Sequence, residues 1–580
     1  MVENKIYLDL QQYLVRIYYK MNMKKQSIKG LAFVAMAGTL VTSCNLLKDL
    51  DYTVTPNPLE MHGDSVRVKV EVVLPEKGVN KKASAEIQPM LASTPLKPLN
   101  IQGEKAEGNG TVIPYKAGGK VTFTDVVAYK ADMEVSELTI SGRVFKGGKE
   151  KEKAAFGPEK IADGTIITPL LVNKDFKVIY DADQFKRVTE EKAFAQINYL
   201  KGRSEVRPTE LTDKDIKELQ AWLAGSATNA KINIKNIEIV GYASPEGEED
   251  KNNTLSTDRA NTGKEAVVKV SKTAKNEKAQ GDIYRLSGKG EDYEGFKREL
   301  QASKFNEDEK NLILRVLEMY KDPVKREEEM RAMGKTFTQL DKDIFPLLRR
   351  SEIYVNYDLT GYSDEELKSI SVSNPDDLKL EELLFTANLT TDLNEKLRLY
   401  KVAAKNFPQD HRAVNNIGAV YFQQNKLAEA KAEFEKANSI KDNAVSKNNL
   451  AAIAGVQGDR KKTQELLKQA AGAGEEVKYN QAILDILDGK YGSAVSNAGS
   501  EASFNKALAQ LLNGDAAAAV KTINNSADAE SGQGYYLKAI AAARQNNAND
   551  VLSNVEKAVA KDAAWKAKYD RDREFLKYQK

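Results

Sequence analysis

The chain has 580 residues, 41% of them hydrophobic and 29% charged, the proportions of a folded protein and not of a disordered one. One cysteine and two histidines exclude a disulfide framework and a multi-thiolate metal site, and leave little material for a histidine-based metal or acid–base centre. With 87 basic against 84 acidic side chains the net charge is only +3, so no global attraction to nucleic acid is expected. At roughly 150 residues per domain, the length predicts three or four domains.

The N-terminus carries a basic stretch, Lys24 to Lys29, followed by eleven uncharged residues from Leu31 to Val41 and then Thr42, Ser43 and Cys44. A positive region, a short apolar run and small residues describe a secretory signal, too short to span a bilayer as a helix. Met21 or Met23 is the better start, since residues 1–20 make a poor leader. Val41-Thr-Ser-Cys44 resembles the lipobox of bacterial lipoproteins, which implies acylation (palmitate among the chains) at Cys44 and anchoring to the outer membrane. Removing residues 1–43 discards Lys5, Arg16, Lys20, Lys24, Lys25 and Lys29 with Glu3 and Asp9, leaving 81 basic against 82 acidic residues.

Residues 57–182 read as an antiparallel β-sandwich. Ser65 to Val72 alternates apolar and polar residues, the pattern of a strand with one buried face. Shorter runs at Val121–Phe123, Leu138–Ile140 and Phe176–Tyr180 predict further strands, separated by glycine-rich turns. The module resembles an immunoglobulin-like domain, and no catalytic constellation lies in it.

From 185 to 360 strands and helices alternate. Phe194–Leu200 and Ile237–Val240 predict strands, Thr212 caps a helix through Leu223, and Ser256 caps a second helix running to about Lys272. Gly241-Tyr-Ala-Ser244-Pro-Glu246-Gly247, followed by Asn252, Leu255-Ser256 and Arg259-Ala260, resembles the OmpA-like peptidoglycan-associated family. Arg349-Arg350-Ser-Glu-Ile353 is similar to its closing strand. The resemblance implies an α/β fold and a clamp in which an aspartate and an arginine hold the diaminopimelate of peptidoglycan. Here the arginine matches Arg259, while Ser244 stands at the aspartate position, with Glu246 as the substitute carboxylate and Asn252 beside it. A charged helical insert spans about 289–346.

Residues 376–580 predict an all-α solenoid resembling tetratricopeptide repeats. Gly418, Tyr421, Ala430, Phe434 and Ala437 occupy signature positions. Small residues let paired helices approach, and aromatic ones fill the seam. Asn425, Gly458, Gly489, Gly514 and Asn546 mark turns at spacings of 33, 31, 25 and 32 residues.

The expectation is therefore a multidomain α+β protein, non-enzymatic, with no cofactor or metal. It predicts a lipid-anchored outer-membrane scaffold, its OmpA-like domain turned to peptidoglycan and its repeats binding a protein partner, on the periplasmic face. The alternative is a surface-exposed adhesin or assembly component whose OmpA-like domain does not bind peptidoglycan.

Overall fold

The computed structural model describes residues 46–320 and 322–579. The expected signal segment and Cys44 lie outside the described residues. Mixed α+β structure fills two compact units, one running to Asn173 and resuming at Ala482, the other spanning Lys174–Gln481.

In the first unit, Ser65–Leu74 is the central strand of one sheet. It pairs antiparallel along its whole length with Gly119–Ala128 and, on its other edge, with Asp51–Thr55 and Leu59–His62. A second sheet centres on Ala83–Leu91, between Glu137–Lys146 and Leu99–Gly103. The inward residues Val66, Val68, Val70, Val72 and Leu74 share one core with Ile87, Leu138, Ile140 and Val144. Alternation along Ser65–Leu74 supplies one side of that core, because side chains on a strand point to opposite faces in turn. Two pairings are parallel, Thr165–Ile166 with Leu59–His62 and Thr111–Ile113 with Leu99–Gly103. The helices from Tyr491 to Arg571 belong to the same unit. A Cβ added to Gly489 would lie 2.5 Å from Nδ1 of His62, and Thr168 Oγ1 donates to Glu574 at 2.6 Å. The β-module and the last helices, expected as separate modules, thus share one compact unit.

The second unit contains a four-stranded sheet in the order Val188–Asn198, Arg350–Thr360, Ile232–Ala243, Tyr284–Glu291, with only the last two parallel. Helices Lys214–Thr228 and Glu249–Thr273 contribute Leu219, Leu223 and Val267 to a core shared with Ile197, Ile239 and Ile353. Two helix starts differ from expectation. Asp213, not Thr212, is the cap of the first helix. The second begins at Glu249, seven residues before Ser256, with Glu249 and Asp250 in its first turn, where acidic side chains favour the helix dipole. Ser256 is fully buried instead, its Oγ accepting the Gly290 N–H at 2.9 Å. It sits where helix and sheet come closest: a Cβ on Gly241 would meet the Ser256 carbonyl oxygen at 2.0 Å. Among the described residues the insert forms five helices between Tyr293 and Leu348, with its own core of Phe296, Leu300, Ile313, Leu340 and Phe345.

Paired helices follow from Asp364, twelve residues earlier than expected. All the turn markers, Asn425, Gly458, Gly489, Gly514 and Asn546, have positive φ, between 58° and 92°. That backbone region favours glycine and tolerates asparagine, which explains why only these two residue types recur there. Gly418 is the contact point of one pair, since a Cβ would lie 2.7 Å from the Phe434 ring. Ala430, Phe434 and Ala437 are fully buried, and Tyr421 packs on the edge of that cluster.

Gly241→Val forces a side chain into the helix–sheet contact and is expected to cost about 1–3 kcal/mol. Thermal melting followed by circular dichroism should show an earlier transition; an unchanged melting profile contradicts the packing described.

Candidate functional site: an asparagine ladder on the repeat helices

Residues 174–187 carry neither helix nor strand. The expected strand Phe176–Tyr180 has no neighbouring strand among the described residues, yet its backbone is hydrogen-bonded at every second residue. Lys177 N–H donates to Asn480 Oδ1 at 2.6 Å, and Asn480 Nδ2 returns a bond to the Lys177 carbonyl at 2.8 Å. Ile179 makes the same exchange with Asn449 at 2.7 and 2.8 Å. Asp181 repeats it with Asn416 at 2.7 and 3.0 Å. Each carboxamide thus presents one acceptor and one donor to one residue, as a neighbouring strand would. The two-residue step is that of an extended chain; the expected alternation holds, and asparagine side chains stand where a neighbouring strand was expected.

The asparagines stand on the first helix of successive pairs, His411–Gln423, Ala444–Val456 and Glu475–Leu487. Each lies nine residues before its turn marker: Asn416 before Asn425, Asn449 before Gly458, Asn480 before Gly489. Neighbouring asparagines brace them. Asn415 and Asn448 donate second bonds to the carbonyls of Ile179 and Lys177, both at 3.1 Å. Asn449 Nδ2 also donates to Asn415 Oδ1, and Asn480 Nδ2 to Asn448 Oδ1, both at 3.0 Å. All five amide side chains are buried to within 1%, so the network supports itself in a site water does not reach.

Side chains of the strap (residues 174–184) are read too. Phe176 is only 3% exposed, and its ring fills the notch at Gly455, where a Cβ would lie 2.5 Å away. Val178 and Tyr180 pack on the Phe434 and Ile453 cluster, and Tyr180 Oη donates to Gln423 at 3.0 Å. Tyr479 Oη donates to Asp175 at 2.9 Å, and Asn388 Nδ2 to Asp183 at 3.0 Å. Burial pushes the Asp181 carboxyl up to about 6, against the pull of Arg412 and Lys441 and with the help of Asp410. Among the described residues its Oδ2 has no hydrogen-bond partner. The other unit uses the same device: Asn505, nine residues before Gly514, exchanges bonds of 2.9 and 2.8 Å with the backbone of Asn173.

The residues expected to grip peptidoglycan are engaged within the chain. Arg259, 1% exposed, donates from Nε to the Arg203 carbonyl at 3.0 Å, from Nη1 to Tyr242 at 2.8 Å and from Nη2 to Leu200 at 3.3 Å. Burial lowers its pKa to about 10. Glu246 accepts from Arg349 at 2.9 and 2.6 Å, and Ser244 Oγ accepts from the same guanidinium at 3.2 Å. Burial raises the Glu246 carboxyl despite Ser244 and Arg349. Asn252 Nδ2 ties the loop, donating to the carbonyls of Ser244 and Glu246 and, at 2.8 Å, to Glu291. The insert joins in: Asp341 accepts from Arg349 at 2.6 Å, and Glu327 accepts the Gly247 N–H. Arg349, read from sequence only as part of the closing strand, is the counter-ion of this loop. Among the described residues no cluster suits a metal ion, and no helix is long and apolar enough to cross a membrane.

No family model matches the chain, and no curated protein matches it. Solved structures similar to it include the APC/C hetero-tetramer Cut9-Hcn1, at TM-score 0.30 and 11% identity over 34% of this chain and 42% of that one. A tetratricopeptide repeat protein from Parabacteroides merdae matches at 0.27 and 14%, over 35% and 88% of the respective chains. YrrB, described as a TPR protein with an unusual peptide-binding site, matches at 0.21 and 19%, over 36% and 99%. This chain spans less than half of the Cut9-Hcn1 chain it matches.

Asn449→Ala removes both bonds to Ile179 and is expected to weaken strap docking by about 1–3 kcal/mol. Tryptic cleavage after Lys177 should accelerate roughly tenfold or more; an unchanged rate contradicts the ladder. The Asp181 shift has a definite sign. Because docking raises the pKa, the docked state binds more protons between the ordinary value of 3.8 and about 6, so docking weakens as pH rises through that window and levels off above it. A carbon-13 titration of the Asp181 carboxyl should show a midpoint near 6, falling toward 4 in Asn449→Ala/Asn480→Ala. A midpoint near 4 in the parent chain contradicts the burial.

Proposed function

We propose that this chain is a non-enzymatic scaffold that holds extended polypeptide backbone on its repeat helices. The observation that supports it most directly is the exchange of paired hydrogen bonds between Asn416, Asn449 and Asn480 and alternate residues of the strap. Buried carboxamides with both polar groups used are a recognition surface for backbone, because an unsatisfied buried amide carries a free-energy penalty. Reading backbone leaves sequence choice to the notches between the asparagines, here filled by Phe176 and Tyr180.

The envelope setting belongs to the same proposal. A lipid anchor at Cys44 in the outer membrane, with the modules on the periplasmic face, rests on the lipobox-like Val41-Thr-Ser-Cys44. An OmpA-like fold for residues 185–360 is supported by the Gly241-to-Ala260 resemblance and by a sheet whose closing strand, Arg350–Thr360, lies between Val188–Asn198 and Ile232–Ala243. Peptidoglycan contact is the part the geometry favours least. Arg259 serves three backbone carbonyls, and Glu246 serves Arg349. The function proposed for these residues is to order the loop that follows Ile232–Ala243.

A chain carrying Tyr180→Cys and Gln423→Cys tests docking in its native setting. Treated with a short bismaleimide in intact envelopes, it should crosslink within one chain, since the two native side chains touch at 3.0 Å. Absence of that crosslink contradicts the scaffold reading. Labelled palmitate should enter the parent chain and not Cys44→Ser, and purified sacculi should not sediment the parent chain above a control protein.

A further inference from the structure

The helices His411–Gln423, Ala444–Val456 and Glu475–Leu487 hold the strap by hydrogen bonds and side-chain packing alone. Nothing in the bonding requires that segment to be the chain's own. The strap forms no helix or strand of its own, so leaving the site sacrifices no secondary structure. Another extended segment in the same register would receive the same bonds from Asn416, Asn449 and Asn480. We propose that residues 174–184 are a displaceable internal occupant of a site that takes an extended segment of a partner protein. This inference rests on the scaffold reading and names the partner's chemistry.

That chemistry follows from the notches. A large aromatic ring is required where Phe176 meets Gly455, because the missing Cβ leaves room for a flat ring and little else. Two positions on, an aliphatic side chain packs as Val178 does. Four positions on, a tyrosine reaches Gln423 while its ring lies on the Phe434 cluster. An acidic residue precedes the first aromatic, received by the Tyr479 hydroxyl as Asp175 is, and another lies beyond the tyrosine, received by Asn388 as Asp183 is. The partner segment is therefore acidic–aromatic–x–aliphatic–x–tyrosine–x–x–acidic, extended and without proline at the residues whose N–H the ladder binds. Because the strap is tethered, it competes at an effective concentration on the order of millimolar. A partner gains access when it brings a second contact or when the strap is pulled away.

The test uses the full chain and a fluorescein-labelled peptide of residues 174–187 as probe, followed by anisotropy. Two strap variants free the site: Phe176→Ser/Tyr180→Ser removes the anchors, and Ile179→Pro removes the N–H that Asn449 binds. Circular dichroism establishes that the repeat helices persist in each. Both variants should bind the probe at least tenfold more tightly than the parent chain. Adding Asn416→Ala and Asn449→Ala should abolish that gain, and a probe with serine at the positions of Phe176 and Tyr180 should not bind. Failure of both folded variants to bind, or binding that survives loss of the asparagines, overturns the proposal. Concentration-dependent dimers of the parent chain, joined by exchanged straps, would overturn it in favour of a second copy as occupant. If the probe fails while the bismaleimide crosslink of the Tyr180→Cys/Gln423→Cys chain still forms, the scaffold reading stands and the partner inference alone falls.

Discussion

An extended backbone inside a protein must find partners for its N–H and C=O groups, and sheets are the usual source. Here three asparagine carboxamides take that place. Each meets one residue with an acceptor and a donor, and helix geometry repeats them at the spacing of a strand. The rest of the region depends on this match. A first helix can aim its asparagine at the strap only if the helix pair is held in register. The left-handed turn at Asn425, Gly458 or Gly489, nine residues later, fixes where that helix ends. Small residues at Gly418 and Gly455 then bring the helices and the Phe176 ring to contact distance.

Much of this was legible before the structure. Perfect alternation in Ser65 to Val72 gave a strand because one face of it is buried without exception. The turn markers were legible because positive φ restricts the residue type. What escaped did so for physical reasons. Phe176–Tyr180 alternates as a strand does, and its true partners lie 236 to 303 residues further along the chain. Asn-Asn at 415–416 and 448–449, at a constant offset from the turns, was the available signal. Ala83–Leu91 was missed because its inward positions begin with two alanines, which carry little periodic contrast. Ser256 looked like a cap because serine is common there; its actual role, a small buried residue under Gly241 and Gly288, requires knowing how near the sheet passes.

The α/β module shows the limit of carrying a motif across by position. Register placed Arg259 and Glu246 where a clamp would be, but burial decides what such groups do. A buried guanidinium must have its donors met. Arg259 meets them with carbonyls from the loop after Val188–Asn198 and from the strand before its own helix. Arg349 completes the loop from the opposite side, with Glu246 and the insert's Asp341 as its counter-charges. The insert, unexplained by sequence, thus contributes acids to a loop that would otherwise hold an excess of buried positive charge. Buried pairs of this kind contribute little net stability, yet removing one partner is costly, which makes them effective at fixing a loop conformation.

The central claim is that the strap is held through its backbone by asparagine side chains, and amide hydrogen exchange reads it residue by residue. The ladder bonds the N–H groups of Lys177, Ile179 and Asp181 and not those of Val178 and Tyr180. The account predicts slow exchange at the first three and fast exchange at the two between them. Uniformly fast exchange across residues 174–184, or uniform protection without alternation, would contradict it.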